Sequence, residues 1–319
     1  MNVIVTGAGG FVGSKLVHGL LKNDRIERIT AFDVTFPKLE FLNDKKINLI
    51  SGDLSDKKTI ENLITSDTDS IFHLAALLSG DAENQFEQGI KVNIGGTMNM
   101  LDVCSKLSVV PNFIFSSSIA AYGGNLPDVV TDDTLYCPET SYGMEKVCCQ
   151  YLINDYSRRK KIHGLSVILP FVGIRPEYSK RVGQWWMSAV IRDVLNGKET
   201  ICPVTRDSII VITSVSRLVN NLILVNNQLS NVNLGVSRTI LAPSLSVSIN
   251  DIIEALNKIV GKNISHLIKF KQDQKIQNII DFWPKEMTSK RAQKTGMVSD
   301  ENMESIIRSF IEDNNIKIS

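Results

Sequence analysis

The chain has 319 residues, 43% of them apolar, and a formal net charge of +1, which is enough hydrophobic material for one large domain or two closely joined ones. With no Lys/Arg run longer than residues 158–161, the balanced charge gives no electrostatic reason to expect nucleic acid or an anionic membrane as partner. Every apolar stretch falls short of the ~20 residues a membrane-spanning helix needs. The cysteines, Cys104, Cys137, Cys148, Cys149 and Cys202, form no CxxC and are odd in number, a pattern of reduced thiols rather than of disulfides or zinc. The chain enters the strand-like run Asn2-Val3-Ile4-Val5 at once, without the regions of a secretory signal, so a cytoplasmic location is expected.

The first predicted strand, 3–6, runs into Thr6-Gly7-Ala8-Gly9-Gly10-Phe11-Val12-Gly13, which opens a predicted helix over 11–21. Glycines here serve a tight turn, close approach of backbone to a pyrophosphate, and close helix–strand packing, while the helix N-terminus favours the negative charge. Gly7, Gly10, Phe11, Val12 and Gly13 are therefore the expected phosphate contacts. The second strand, 29–33, ends on Asp33, placed to accept hydrogen bonds from the adenosine ribose and to repel a 2′-phosphate. Val34 and Thr35 follow, and Lys38 is the nearest cation, so NAD is favoured over NADP.

A third strand over 47–51 precedes Gly52-Asp53-Leu54, where Asp53 can reach the adenine amino group and Leu54 lines the same crevice. The fourth, 70–74, ends in His73-Leu74-Ala75-Ala76; Leu74, Ala75 and Ala76 are expected beside the cofactor, and His73 is read as structural rather than catalytic. Ser79, in the loop beyond, can bind a substrate hydroxyl. A long helix is predicted over 85–106. Asn93 inside it has poor helix propensity and is followed by Gly95 and Gly96, which points either to close approach to the cofactor or catalytic helix, or to an internal hydrogen-bonding role.

The fifth strand, 112–116, delivers Ser116, Ser117 and Ser118 to the carboxyl edge of a sheet, the edge where ligands bind. The next helix, 142–159, opens with Tyr142-Gly143-Met144-Glu145-Lys146. Residues four apart share a helix face, so the Lys146 ammonium is expected to lower the Tyr142 pKa, making it a general base with Ser118 on the same substrate oxygen. Tyr156 and Lys160 repeat the spacing about 21 Å further along, away from the serines, and Tyr156 is read as a packing residue. A sixth strand, 165–169, leads to Pro170, a further expected cofactor contact.

After Pro170 the strand–helix alternation gives way to a mixed pattern, with helices near 184–196, 216–225, 249–260 and 302–312 and a strand-like piece at 208–212. The fold class is thus α/β, a doubly wound parallel sheet over 1–173 with a smaller mixed substrate lobe over 174–319, partly interleaved with it. Arg175 and Arg192 are the candidates to clamp a substrate carboxylate, for which the guanidinium fork is suited; Trp185 and Trp186 serve either a pocket wall or a helix core. The other histidines, His18, His163 and His266, lack carboxylate or cysteine partners in sequence, so no metal site is expected.

With the glycine turn, Asp33, the His73–Ala76 tetrapeptide, the serine run and Tyr142/Lys146 in this order, the chain resembles the extended short-chain dehydrogenase/reductase family, which includes the NAD-dependent epimerases and dehydratases of nucleotide sugars. The resemblance implies a Rossmann core, a Ser118–Tyr142–Lys146 mechanism, a tightly held NAD, and a homodimer formed through the helices over 85–106 and 142–159. Leu78-Ser79-Gly80, Gly123-Gly124-Asn125-Leu126-Pro127, the run 154–159, Val190-Ile191-Arg192 and Cys202-Pro203-Val204 resemble a branch that oxidises the 2-hydroxyl of a small sugar acid. Gln184-Trp185-Trp186 departs from it, where smaller residues are usual. Two alternatives stand beside that expectation: a nucleotide-sugar 4-epimerase or dehydratase, and a non-catalytic dinucleotide-binding regulator.

Overall fold

The computed structural model describes residues 1–37, 43–176 and 185–317. In chain order the first half runs β1 (Asn2–Thr6), α1 (Phe11–Leu21), β2 (Arg28–Asp33), β3 (Ile47–Ser51), α2 (Lys57–Leu63), β4 (Ser70–His73), α3 (Ser79–Asn84), α4 (Phe86–Gly89), a π-helical turn (Ile90–Gly95), α5 (Gly96–Cys104), β5 (Asn112–Ser118), a 3-10 turn (Ile119–Ala121), α6 (Ser141–Arg158) and β6 (His163–Leu169). The second half continues with β7 (Phe171–Gly173), α7 (Trp185–Leu195), β8 (Thr200–Cys202), β9 (Ile209–Ser214), α8 (Val215–Asn226), β10 (Thr239–Leu241), β11 (Leu245–Ser248), α9 (Ile249–Val260), β12 (Ile268–Phe270), α10 (Gln274–Asp281), α11 (Lys290–Lys294) and α12 (Met303–Asp313).

The main sheet has the order β10-β6-β5-β4-β1-β2-β3, with every pairing parallel. This is the doubly wound arrangement expected from the sequence, and its strand order reverses between β1 and β4, opening a crevice at their carboxyl ends. Alternation along β1 explains the two layers. Val3 and Val5 face α1 and α8, where Leu16, Leu20, Leu218 and Leu222 pack, whereas Ile4 faces the other side with Met100, Leu101 and Ile153 of α5 and α6. A third core, with Trp186, Ile191, Leu256, Ile306 and Phe310, holds the C-terminal lobe together. That lobe also carries a β11-β9-β7 sheet and the β12-β8 pair.

Two features differ from expectation. The seventh strand, β10, comes from the second half of the chain and pairs Thr239 with Ser166; three residues are too few to show a strand period in sequence. The helix predicted as continuous over 85–106 is broken by the π turn at Asn93, because that side chain is bonded outside its own helix, as described below. Among the described residues, no helix is long and apolar enough to cross a membrane.

Candidate active site

The glycine turn between β1 and α1 is built around Gly7, whose φ of 72° lies in the left-handed region. Gly10 N donates to Gly7 O (3.0 Å), and a Cβ on Gly13 would run into that same carbonyl oxygen, so α1 starts hard against the turn. On the other side, a Cβ on Gly7 would stand 2.7 Å from Ala75 N, which places Leu74, Ala75 and the loop after β4 directly against the turn. Gly10, the cap residue of α1, offers no side chain to its first amides, leaving donors at Phe11, Val12 and Gly13 for an anion. Asp33 closes the cradle. Its Oδ2 accepts from Gly9 N (2.9 Å) and its Oδ1 from Val34 N (2.7 Å), so its carboxylate is fixed against the glycine turn. The first of these bonds was not anticipated. An uncapped helix start, bare glycines and an oriented carboxylate at one sheet edge fit a dinucleotide.

Further along the crevice, Asp53 is exposed and its Oδ1 accepts from Ser55 N (2.8 Å). Leu54 is buried, its carbonyl held by Asn99 Nδ2 (3.2 Å), and Pro170 is buried between β6 and β7. Lys38 and Gln184 lie outside the described residues.

The catalytic candidates converge through backbone packing. A Cβ on Gly143 would overlap Ala120 O, so the start of α6 rests on the turn that Ser118 caps by accepting from Ala120 N (3.2 Å). Ser117 is turned away and buried, accepting from Gln150 Nε2 (2.5 Å). Lys146 Nζ donates to Ser116 O (2.8 Å) and lies 5.4 Å from the Tyr142 ring centroid and 4.5 Å from that of Phe115. Ser116 Oγ donates to His73 O (3.3 Å).

The sequence reading expected a depressed Tyr142 pKa, and within the protein chain the direction is the reverse. Burial raises it, the Glu145 carboxylate adds to the rise, and only the Arg175 guanidinium works against them. Lys146 is itself so buried that its pKa falls to about 8, with Cys149 and Glu145 opposing. Counting the ammonium as a nearby charge left out the desolvation both groups undergo.

This has a measurable consequence for stability. The folded-state Lys146 pKa is depressed from 10.5 to about 8. Between those values the unfolded chain holds the proton and the folded chain releases it, so this residue's contribution improves as pH rises through the window. Lys146→Met is therefore expected to be more stable than the parent at pH 7, by about 1–3 kcal/mol, with the gap narrowing towards pH 10. Urea unfolding at both pH values checks this; a gap that widens with pH contradicts it.

His73 is enclosed. Its Nε2 lies 3.0 Å from Thr97 Oγ1, which spends its own proton on Asn93 O (2.6 Å), so Nε2 carries the hydrogen and Nδ1 accepts from Thr6 Oγ1 (2.8 Å). Burial lowers the ring pKa to about 3, and Lys146 adds to the effect. Tyr156 donates to Asp102 (2.6 Å), tying α6 to α5.

Asn93 explains the π turn. Its Oδ1 accepts from Leu77 N (2.7 Å), and its Nδ2 donates to Leu77 O (3.0 Å) and to Glu145 Oε2 (2.5 Å). It thereby pins the loop between β4 and α3, with Ser79 at the helix start. Glu145 was missed by the sequence reading, although it stands one turn before the buried Cys149 on the same face of α6.

Arg175, just past β7, lies with its guanidinium 4.8 Å from the centroid of the Phe11 ring. Its N donates to Ser188 Oγ (3.1 Å) and its O accepts from Arg192 Nη1 (3.3 Å). The buried Nε has no hydrogen-bond acceptor among the described residues. Burial depresses the Arg175 pKa and Tyr142 opposes that, which places the cation within electrostatic reach of the phenol. Arg192 is mostly buried and donates from Nε to Asp193 (2.8 Å), so it supports Arg175 from behind. Trp186 belongs to the C-terminal core and Trp185 packs against it.

The model of the NAD dependent epimerase/dehydratase family matches residues 3–212. The chain is 35% identical to D-erythronate dehydrogenase of Cupriavidus necator over 326 residues, covering 98% of each chain. It is also 35% identical to D-erythronate dehydrogenase of Haemophilus influenzae over 314 residues, covering 98% of this chain and 99% of the relative. Among solved structures, it is similar to a nucleoside-diphosphate-sugar epimerase from Agrobacterium tumefaciens, with TM-score 0.92 and 31% identity over 100% of this chain and 96% of the other. L-threonine 3-dehydrogenase from Trypanosoma brucei shares the fold, with TM-score 0.85 and 20% identity over 99% of each chain.

Proposed function

The chain belongs to the NAD dependent epimerase/dehydratase family, and from that premise we propose that it is a dehydrogenase oxidising the 2-hydroxyl of a small sugar acid, D-erythronate, to 2-oxo-tetronate. The observation that carries this reading is Arg175: a cation on the wall near Tyr142, stacked on Phe11, with its buried Nε unpaired. An unsatisfied buried donor on a guanidinium is costly unless an anion completes it, and the carboxylate beside a 2-hydroxyl is such an anion. The near full-length likeness to proteins named D-erythronate dehydrogenase supports the choice of acid.

In the proposed mechanism Tyr142 removes the hydroxyl proton as hydride leaves the same carbon, so the alcohol loses two electrons and becomes a ketone. When bound, NAD supplies the hydride acceptor and a positive charge that favours the phenolate. Ser118 holds the reacting oxygen, Lys146 keeps a cation beside the Tyr142 ring, and Arg175 fixes the carboxylate. Gly7, Gly10, Phe11, Val12 and Gly13 would hold the pyrophosphate, and Asp33 the adenosine ribose. Asp53, Leu54, Leu74, Ala75, Ala76, Asn93, Ser116 and Pro170 would line the remaining dinucleotide crevice. Ser79 would meet a substrate hydroxyl.

The likeness to a protein described as a nucleoside-diphosphate-sugar epimerase favours one other reading, a redox-neutral reaction. Purified protein with NAD and D-erythronate is expected to accumulate NADH, and erythritol, which lacks the carboxylate, is expected to do far worse. Arg175→Met should raise KM for the acid by about 10- to 100-fold while NAD binding persists. Conversion of a UDP-sugar without net NADH would replace this reading with the epimerase one. Phe86, Met98 and Tyr151 are exposed along α4, α5 and α6, which supports a homodimer through those helices; sedimentation at twice the chain mass is the expected result, and a single-chain mass would rule it out.

A further inference from the structure

Glu145 lies between Tyr142 and Lys146 in sequence, and its carboxylate reaches the junction of α6 with α3, α4 and the π turn while staying within electrostatic range of Tyr142. It is fully buried. Oε2 accepts the Asn93 amide at 2.5 Å, while Oε1 has no partner among the described residues and occupies the space that a Cβ on Gly89 would need. The charged and titratable groups facing it are Tyr142, Lys146 and Cys149 on its own helix and Glu83 on α3, whose Oε2 accepts from Ser141 N (2.9 Å). A buried carboxylate with half its acceptors unused costs stability, and its remaining bond goes to a side chain that pins the loop after β4.

We propose that Glu145 is a positioning residue for the dehydrogenase reaction: through Asn93 it fixes Leu77 and the loop carrying Ala75, Ala76 and Ser79, and it sets the negative charge facing Tyr142. An Asn amide group can flip, exchanging its oxygen and nitrogen. The Leu77 peptide favours one orientation, with Oδ1 on its N–H and Nδ2 on its carbonyl, and Glu145 locks it, because only Nδ2 can satisfy a carboxylate. With Nδ2 committed there, Oδ1 must point at Leu77 N, and both polar groups of that peptide are then held. The same carboxylate raises the pKa of the phenol, so one side chain couples loop placement to the proton affinity of the base. The inference rests on the dehydrogenase reading, but its first test does not need turnover.

Two near-isosteric variants separate the roles. Glu145→Gln keeps an acceptor for Asn93 and removes the charge; Glu145→Met removes both and keeps the volume beside Gly89. Amide exchange at Leu77, read on the full chain, should match the parent in Glu145→Gln and be about tenfold faster or more in Glu145→Met. In both variants the low-pH limb of kcat/KM should move about one unit towards acid, since the charge opposing phenolate is gone. Unchanged Leu77 exchange in Glu145→Met, or an unmoved limb in Glu145→Gln, overturns the proposal; should Glu145→Met fail to fold, the limb in Glu145→Gln decides. A chain that turned over no sugar acid would sink the functional reading instead. Leu77 exchange, and the spectroscopic titration of the phenol against a Tyr142→Phe control, would then still decide this one.

Discussion

Replacing Tyr142 by Phe is expected to lower kcat by about 10²–10⁴ and to leave NAD binding intact. The substitution removes one oxygen from a ring held 5.4 Å below the Lys146 ammonium, and the aromatic face that the cation meets is retained. Ser118, His73 and Tyr156 cannot take over the proton. Ser118 has a hydroxyl, far too weak a base alone, and that oxygen already caps the 3-10 turn. His73 has both ring nitrogens committed to Thr6 and Thr97, with its pKa near 3. Tyr156 is bonded to Asp102 near the far end of α6. Steady-state NADH formation and calorimetric NAD titration on the same preparation measure the two halves. Turnover within a few-fold of the parent would refute Tyr142 as the base, and lost NAD binding would mean that the ring, not its hydroxyl, is what the site requires.

Because burial and Glu145 raise the Tyr142 pKa, the phenol is protonated at neutral pH until a further positive charge arrives. Arg175 already opposes that rise, and in the proposed mechanism a bound oxidised nicotinamide would add a further positive charge. On that reading reactivity would depend on assembly: the base would be masked before cofactor binds and released in the complex where hydride has somewhere to go. Lys146 fits the same logic. It is held in a site that depresses its own pKa to about 8, a cost to stability retained at the place where the proposed reaction would need a cation.

What was legible in the sequence is what depends on neighbours in the chain. The turn from Thr6 to Gly13 needs glycines at fixed offsets, and Asp33 needs only to end the next strand, so both could be placed before any fold was known. Tyr142 and Lys146 share a helix face by spacing alone. Asn93 stood out as an anomaly in a helical run, but its partners are 16 and 52 residues away, and no local pattern names them. Likewise β10 is a strand only because β6 is there to pair with it. The sign of the Tyr142 shift was misjudged because a charge four residues on is visible in sequence, whereas the loss of water around both groups is a property of the assembled crevice. Glu145 was overlooked for the same reason: carboxylates on helices are mostly solvated, and nothing in the sequence marks this one as facing Gly89.

Gly13→Ala tests the other end of the crevice, and it is expected to weaken NAD binding by about 10²–10⁴ while leaving the fold recognisable. The added methyl would meet the Gly7 carbonyl oxygen, and backbone cannot swing aside as a long side chain would. Either α1 withdraws along its axis or the turn at Gly7 opens. Withdrawal carries off the first amides of the helix; opening breaks the Gly10–Gly7 bond and pushes Gly7 towards Ala75 N, where there is no room either. Each route displaces the donors that a pyrophosphate would use. Two charge-assisted hydrogen bonds lost at about 1.5–3 kcal/mol apiece give that range of affinity, whereas overpacking alone should cost the fold about 1–3 kcal/mol. Calorimetric titration with NAD, set beside the thermal midpoint without it, separates the two. A large fall in midpoint with unchanged affinity would mean that Gly13 serves only the packing of α1 on β1, and the phosphate cradle would have to be sought elsewhere along the sheet edge.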